Sequence, residues 1–267
     1  MLLPEPEKQS SENWRMAKNQ DNMFLLPFVG LEENDADFAE YIQGSPRVAL
    51  DIDHPFTHYY FVEKNPEHIE KLKALKTEYA ETRNITIYEG DALRHLNVFI
   101  ESVKDWRSSR AVVFLDPFGM QVPWQTICDI AQKRSIEIIL NLPIGTTIQR
   151  LIKKDRANMS QKDLERLTSY FGSEEWEQIV YYTSSLTSLF DNEPTVLKYD
   201  DTAERLIKWY MDRLRVLFGH TAGPKLIKNT RGAHLYYLIW AGSNETGKKI
   251  AGYVLGNKVS RKFSKDI

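Results

Sequence analysis

Cysteine is nearly missing from this chain of 267 residues, where Cys128 stands alone. One thiol excludes an intramolecular disulfide, and it excludes a thiolate zinc site or iron–sulfur cluster held by this chain alone. Cys128 lies in the helix-like stretch Thr126-Ile127-Cys128-Asp129-Ile130, where a small buried thiol is the ordinary reading. His54, His58, His68, His95, His220 and His234 lack metal-ligand spacing, so no metal is assigned. An excess of charge of one sign is also missing, since 35 Lys and Arg oppose 37 Asp and Glu for a formal charge of -2. Any nucleic-acid contact therefore needs a local patch. No apolar run reaches the ~18 residues of a membrane span. The stretch Pro4 to Asn19 lacks the apolar centre of a secretion signal, which predicts a cytoplasmic protein with no membrane contact. No repeat of fixed period occurs.

What is present is hydrophobic content of 42%, enough for one large core with an added insertion. Strand-like runs occur at Met23 to Gly30, His58 to Val62, Ile85 to Tyr88, Ala111 to Leu115 and Ile136 to Leu142. Between them lie helical patterns. Ser45-Pro46 opens a short one, Asn65-Pro66-Glu67 caps one carrying Ile69, Leu72, Leu75 and Tyr79, and others carry Leu93, Leu96, Phe99 and Ile100 or Ile127, Ile130 and Ala131. Alternation of this kind implies βαβ units, a mostly parallel sheet and right-handed crossovers.

From Thr146 to about His220 the rhythm changes to helices without clear strands. Strand character returns at Lys225 to Lys228 and Leu235 to Trp240, which predicts an antiparallel edge, and Glu245 to Leu255 reads as the last helix. The expected organisation is an arm over 1–20, a Rossmann-like cofactor half over 21–145, a helical insertion or lid over 146–220, completing strands and helix over 221–257, and a basic tail over 258–267.

Three strand-like runs lead into acids: Glu63, Asp91 after Glu89-Gly90, and Asp116 in Asp116-Pro117-Phe118-Gly119. Ligands of open α/β sheets sit at such strand ends. Glu63 can accept from both ribose hydroxyls, and Asp91, followed by Ala92, can accept from an adenine amino group. Taken singly, each reads more readily as a solvated acid capping the helix that follows, and taken together they favour a site. Asp116 sits where a transferred group would be and Phe118 can stack on a planar substrate, although Pro117 and Gly119 also suit a plain turn. Asn141, in Asn141-Leu142-Pro143, offers a second polar wall.

The ordered set Gly44-Ser45-Pro46, Phe61-Val62-Glu63-Lys64-Asn65-Pro66, Gly90-Asp91-Ala92, Phe114-Leu115-Asp116-Pro117-Phe118-Gly119, Asn141-Leu142-Pro143, Phe171-Gly172 and Glu175-Trp176 closely resembles the three-Cys-motif partner proteins. Leu235 to Ala241 and Gly247-Lys248-Lys249-Ile250 extend the resemblance, which covers about residues 23 to 256. It implies a Rossmann-like class I methyltransferase fold, S-adenosylmethionine as cofactor, and a radical-S-adenosylmethionine-like partner bearing a three-cysteine motif. Pro27-Phe28-Val29-Gly30 is similar to the first motif of adenine-N6 DNA methyltransferases, which assigns Phe28 and Gly30 to the cofactor. Leu26 stands where that motif has an acid and Glu32 where it has a second glycine.

Three functions are open at this stage. One is a methyltransferase in which Gly30, Glu63 and Asp91 hold the cofactor while Asp116 orients the acceptor. Another is a degenerate methyltransferase-fold scaffold for the cysteine-bearing partner. A third is nucleic-acid modification through Lys153, Lys154 and Arg156, through Lys225, Lys228 and Arg231, or through Lys258, Arg261, Lys262 and Lys265.

Overall fold

The computed structural model describes residues 21–27, 45–116, 119–184, 195–229 and 232–256. Five strands build the parallel part of the central sheet: β1 (Asp21–Pro27), β2 (His58–Glu63), β3 (Ile85–Glu89), β4 (Ser109–Leu115) and β5 (Ile136–Leu142). With the later β8 (His220–Lys228) and β9 (His234–Gly242), the order is β3-β2-β1-β4-β5-β9-β8. β1 pairs in parallel with both β2 and β4, so the chain reverses its direction of travel across the sheet at that point. β9 runs antiparallel to β5 and to β8, which makes the expected antiparallel edge. This is the Rossmann-like architecture expected from the alternation of elements.

Both faces of the sheet are apolar because its central strands lie between two layers. Leu25, Val113, Ile138 and Leu140 point into the larger core, whereas Phe24, Leu26, Tyr59 and Phe61 point into the smaller one. The larger core takes α3 (Ala92–Ser102) and α4 (Trp124–Gln132) through Leu96, Phe99, Ile127 and Ile130. The smaller takes the short helix α1 (45–50) through Leu50 and α2 (Pro66–Glu78) through Leu72 and Leu75.

Helix starts follow local chemistry. Asn65 accepts from the Glu67 amide at the head of α2, with Pro66 next in line, and Asp91 accepts from the Arg94 amide at the head of α3.

After β5 a π-turn (Ile144–Ile148) runs into α5 (Gln149–Leu151), followed by α6 (Gln161–Phe171), α7 (Trp176–Val180) and α8 (Thr202–Phe218). This stretch is not purely helical as its sequence suggests: β6 (Tyr181–Thr183) and β7 (Val196–Lys198) form a small antiparallel pair. Three-residue strands are too short to show an alternating pattern.

A stacked seam fixes the helices onto the sheet. The Arg213 guanidinium lies 3.8 Å from the Trp124 ring centroid and 4.6 Å from that of Trp209, and it donates to the Phe171 carbonyl. Gly172 ends α6 at φ +67°, and a Cβ there would meet Trp124 side-chain atoms at 2.5 to 2.7 Å. Glycine is required on both counts. β8 also begins earlier than the expected Lys225, because Gly223-Pro224 sits at a register shift within one continuous edge strand. α9 (Glu245–Leu255) then packs on β8 and β9.

Candidate functional site

The carboxyl ends of β1 to β5 lie side by side because the five strands are parallel. Their order brings Asp91, Glu63, Asp116 and Asn141 to one edge, on either side of the switch between β1 and β4. That crevice is where an open α/β sheet binds its ligand.

Glu63 is the last residue of β2 and is only 1% exposed. Its Oε1 accepts from the backbone amides of Lys64 and Asn65, both at 2.8 Å, so the carboxylate also organises the turn into α2. Its Oε2 lies 3.5 Å from Nδ1 of His68, a mostly buried ring whose Nδ1 has no hydrogen-bond partner. His68 was not a sequence candidate. The available signal was its place in the first turn of the helix that follows Glu63.

Asp91 stands just past β3, exposed, with one oxygen capping α3, and Ala92 is the buried first residue of that helix. The Gly90 amide donates to the Glu63 carbonyl at 2.8 Å, which ties the ends of β2 and β3 together. Asp91 thus takes the capping geometry, whereas Glu63, buried and bonded to the turn before the Asn65 cap, does not cap α2, and the structure brings both acids to neighbouring strand ends.

Asp116 directly follows β4, and Asn141 lies in β5 at 2% exposure. Asn141 Nδ2 donates to Asp116 Oδ1, while Asn141 Oδ1 is buried with no hydrogen-bond partner. Buried acceptors of this kind are uncommon and cost roughly 1–3 kcal/mol when left unmet. Leu26, at the end of β1, is 1% exposed and belongs to the smaller core. Phe28, Gly30, Glu32, Pro117 and Phe118 lie outside the described residues.

The other candidates sit elsewhere. Arg156 is held by Glu177, with Nε to Oε2 at 2.5 Å, and this pairing raises its pKa further. Lys225 and Lys228 lie on the edge strand β8, while Arg231 and the basic tail fall outside the described residues. Cys128 is half-buried in α4, and burial pushes its thiol upward, away from the reactive thiolate. An open cleft of about 530 Å³ lined by Lys73, Lys76 and Arg83 lies at the start of β3, the opposite end of the sheet from these carboxylates.

No family model matches the chain, and no curated protein does. Solved structures do resemble it. The Escherichia coli protein yhhF, provisionally called a methyltransferase, is 10% identical at a TM-score of 0.34, with 91% of this chain and 90% of that one covered. A spermidine synthase solved with the transition-state analogue AdoDATO is 11% identical at 0.42, covering 94% of this chain and 61% of that one. TYW2 of M. jannaschii, solved with AdoMet, is 13% identical at 0.28, covering 90% and 77%. At such identities the architecture rests on this chain's own strand order, and the chemistry on its own residues.

Proposed function

We propose that this protein is an S-adenosylmethionine-dependent methyltransferase that works with a three-Cys-motif protein. The observation that carries the reading is the alignment of Asp91, Glu63, Asp116 and Asn141 along one carboxyl edge of the parallel sheet. Two carboxylates on adjacent strand ends suit the nucleoside half of the cofactor: Glu63 Oε2 faces the ribose hydroxyls and Asp91 the adenine amino group, with Ala92 beneath the ring. Phe28 and Gly30 belong to the loop assigned to the amino-acid half. The cofactor supplies an electrophilic methyl group. Asp116 and Asn141 position the acceptor, and the sequence assigns Pro117 and the stacking ring of Phe118 to the same site. The partner supplies whatever metal-cluster chemistry is needed, because this chain has one cysteine.

Titration calorimetry with S-adenosylmethionine and S-adenosylhomocysteine tests the reading. Binding is expected, weakened at least tenfold by Glu63→Ala and by Asp91→Ala. Each variant is melted alongside, because removal of the Asp91 cap costs about 1 kcal/mol of stability by itself.

A second reading, a scaffold that no longer binds the cofactor, is favoured by two observations. The Glu63 carboxylate is almost wholly covered and serves its own turn, and Leu26 gives the end of β1 a core side chain in place of an acid. Absence of binding at millimolar ligand, by a protein that melts cooperatively, would establish this alternative.

A further inference from the structure

The structure points to an amino group as the methyl acceptor, held by the amide oxygen of Asn141. This inference rests on the methyltransferase reading and names the substrate class of that site. Two observations combine. The first is that Asn141 is 2% exposed and its Oδ1 has no hydrogen-bond partner. The second is that its Nδ2 donates to Asp116 Oδ1.

Chemistry fixes which way this amide faces. A carboxylate only accepts hydrogen bonds, so the nitrogen of Asn141 must face Asp116 and the oxygen must face away. Flipping the amide would set two acceptors against each other. Asp116 therefore acts as a positioning residue that fixes the buried Oδ1 as an acceptor at the carboxyl end of β5. A preorganised acceptor beside the place of transfer calls for a donor on the substrate.

A hydroxyl does not suit it. Its single hydrogen must leave during methylation, and an amide oxygen is too weak a base to take it. An amino group has hydrogens to spare: one is donated to Asn141 Oδ1, and this turns the lone pair toward the methyl group. The nitrogen lone pair then forms the N–C bond, the carbon–sulfur bond breaks with its electron pair going to sulfur, and the methylated nitrogen releases one proton to water. No oxidant or reductant is needed.

The test uses three S-adenosylhomocysteine analogues in which nitrogen replaces sulfur and carries a 2-aminoethyl, 2-hydroxyethyl or propyl arm. The arm occupies the acceptor's position. The full-length protein is expected to bind the aminoethyl analogue at least tenfold more tightly than the other two. Asn141→Leu, or Asn141→Ala if the first variant does not fold, is expected to erase that preference while affinity for S-adenosylhomocysteine itself stays within about threefold. Equal affinity for the three arms, a hydroxyethyl arm that binds as well as the aminoethyl arm, or a preference that survives loss of Asn141 would each overturn the inference and leave the cofactor site standing. Failure of S-adenosylhomocysteine to bind the wild-type protein would overturn the methyltransferase reading, and this inference with it.

Discussion

α8 and α9 are both amphipathic helices laid on the same end of the sheet, yet they are buried very differently. Leu206, Ile207, Tyr210, Leu214 and Phe218 of α8 all join the larger core. α9 has no buried residue, and Ile250, Tyr253 and Val254 are 48%, 60% and 51% exposed. The two helices lie on opposite faces. Ile136 and Ile138 of β5 point into the larger core with α8, whereas Glu137 between them points the other way, toward Gly247 of α9. Gly247 approaches so closely that a Cβ would meet Glu137 Oε1 at 2.9 Å and Trp240 Cζ2 at 2.7 Å. α8 is thus held by hydrocarbon and stacked rings, and α9 by close backbone approach over a carboxyl group and an indole. Similar amphipathic patterns give different burial because the surface beneath each helix differs.

The largest break in this comparison should come from Leu206→Ala, which opens a cavity on the buried face of α8. A loss of about 2–5 kcal/mol is expected in urea unfolding. A loss under about 1 kcal/mol would mean that α8 is not seated in the core.

Glu137 sharpens the comparison through pH. Burial raises its pKa above the ordinary 4.5, although Trp240 Nε1 donates to Oε2 at 3.1 Å and opposes the rise. A carboxyl whose folded pKa is raised favours the folded state most below the ordinary value, and that advantage is lost as pH climbs through the raised one. Glu137→Gln keeps an acceptor for Trp240 and has no titration. Its stability relative to the wild type should therefore increase from pH 4 to pH 7, as read by thermal melts. A difference that stays level across that range would show that Glu137 is solvated beneath α9.

The smallest effect is expected from Ile250→Ala, within about 0.5 kcal/mol, because the side chain is half-exposed. A loss as large as that of Leu206→Ala would show that α9 is covered in solution.

Where neighbours in sequence were enough, the chain was legible. Asn65-Pro66 and Asp91 cap the helices they were expected to open, and α9 spans the expected Glu245 to Leu255. The five parallel strands were visible as apolar runs bounded by turn residues. Elements defined by distant partners were not. β6 and β7 are three residues each and exist through one another. Gly223-Pro224 reads as a break but lies within β8, because an edge strand tolerates a residue without an amide donor. Arg213 was not singled out in the sequence, and its role appears only where Trp124, Trp209 and Phe171 close around it. The acids of the candidate site were visible as strand ends, but His68 beside Glu63 was not.

The sequence by itself determined the alternation of strands and helices, the caps, and the identity of the groups at the strand ends, since these depend on spacing and on residues within a turn of one another. Only the tertiary structure decided the strand order that sets Asp91, Glu63, Asp116 and Asn141 along one edge, and the pairing that leaves Asn141 with an unmet oxygen. Asp116 and Asn141 are 25 residues apart in the chain, and their contact exists because β4 and β5 lie side by side. Spacing along the chain carries no record of which strands become neighbours in space.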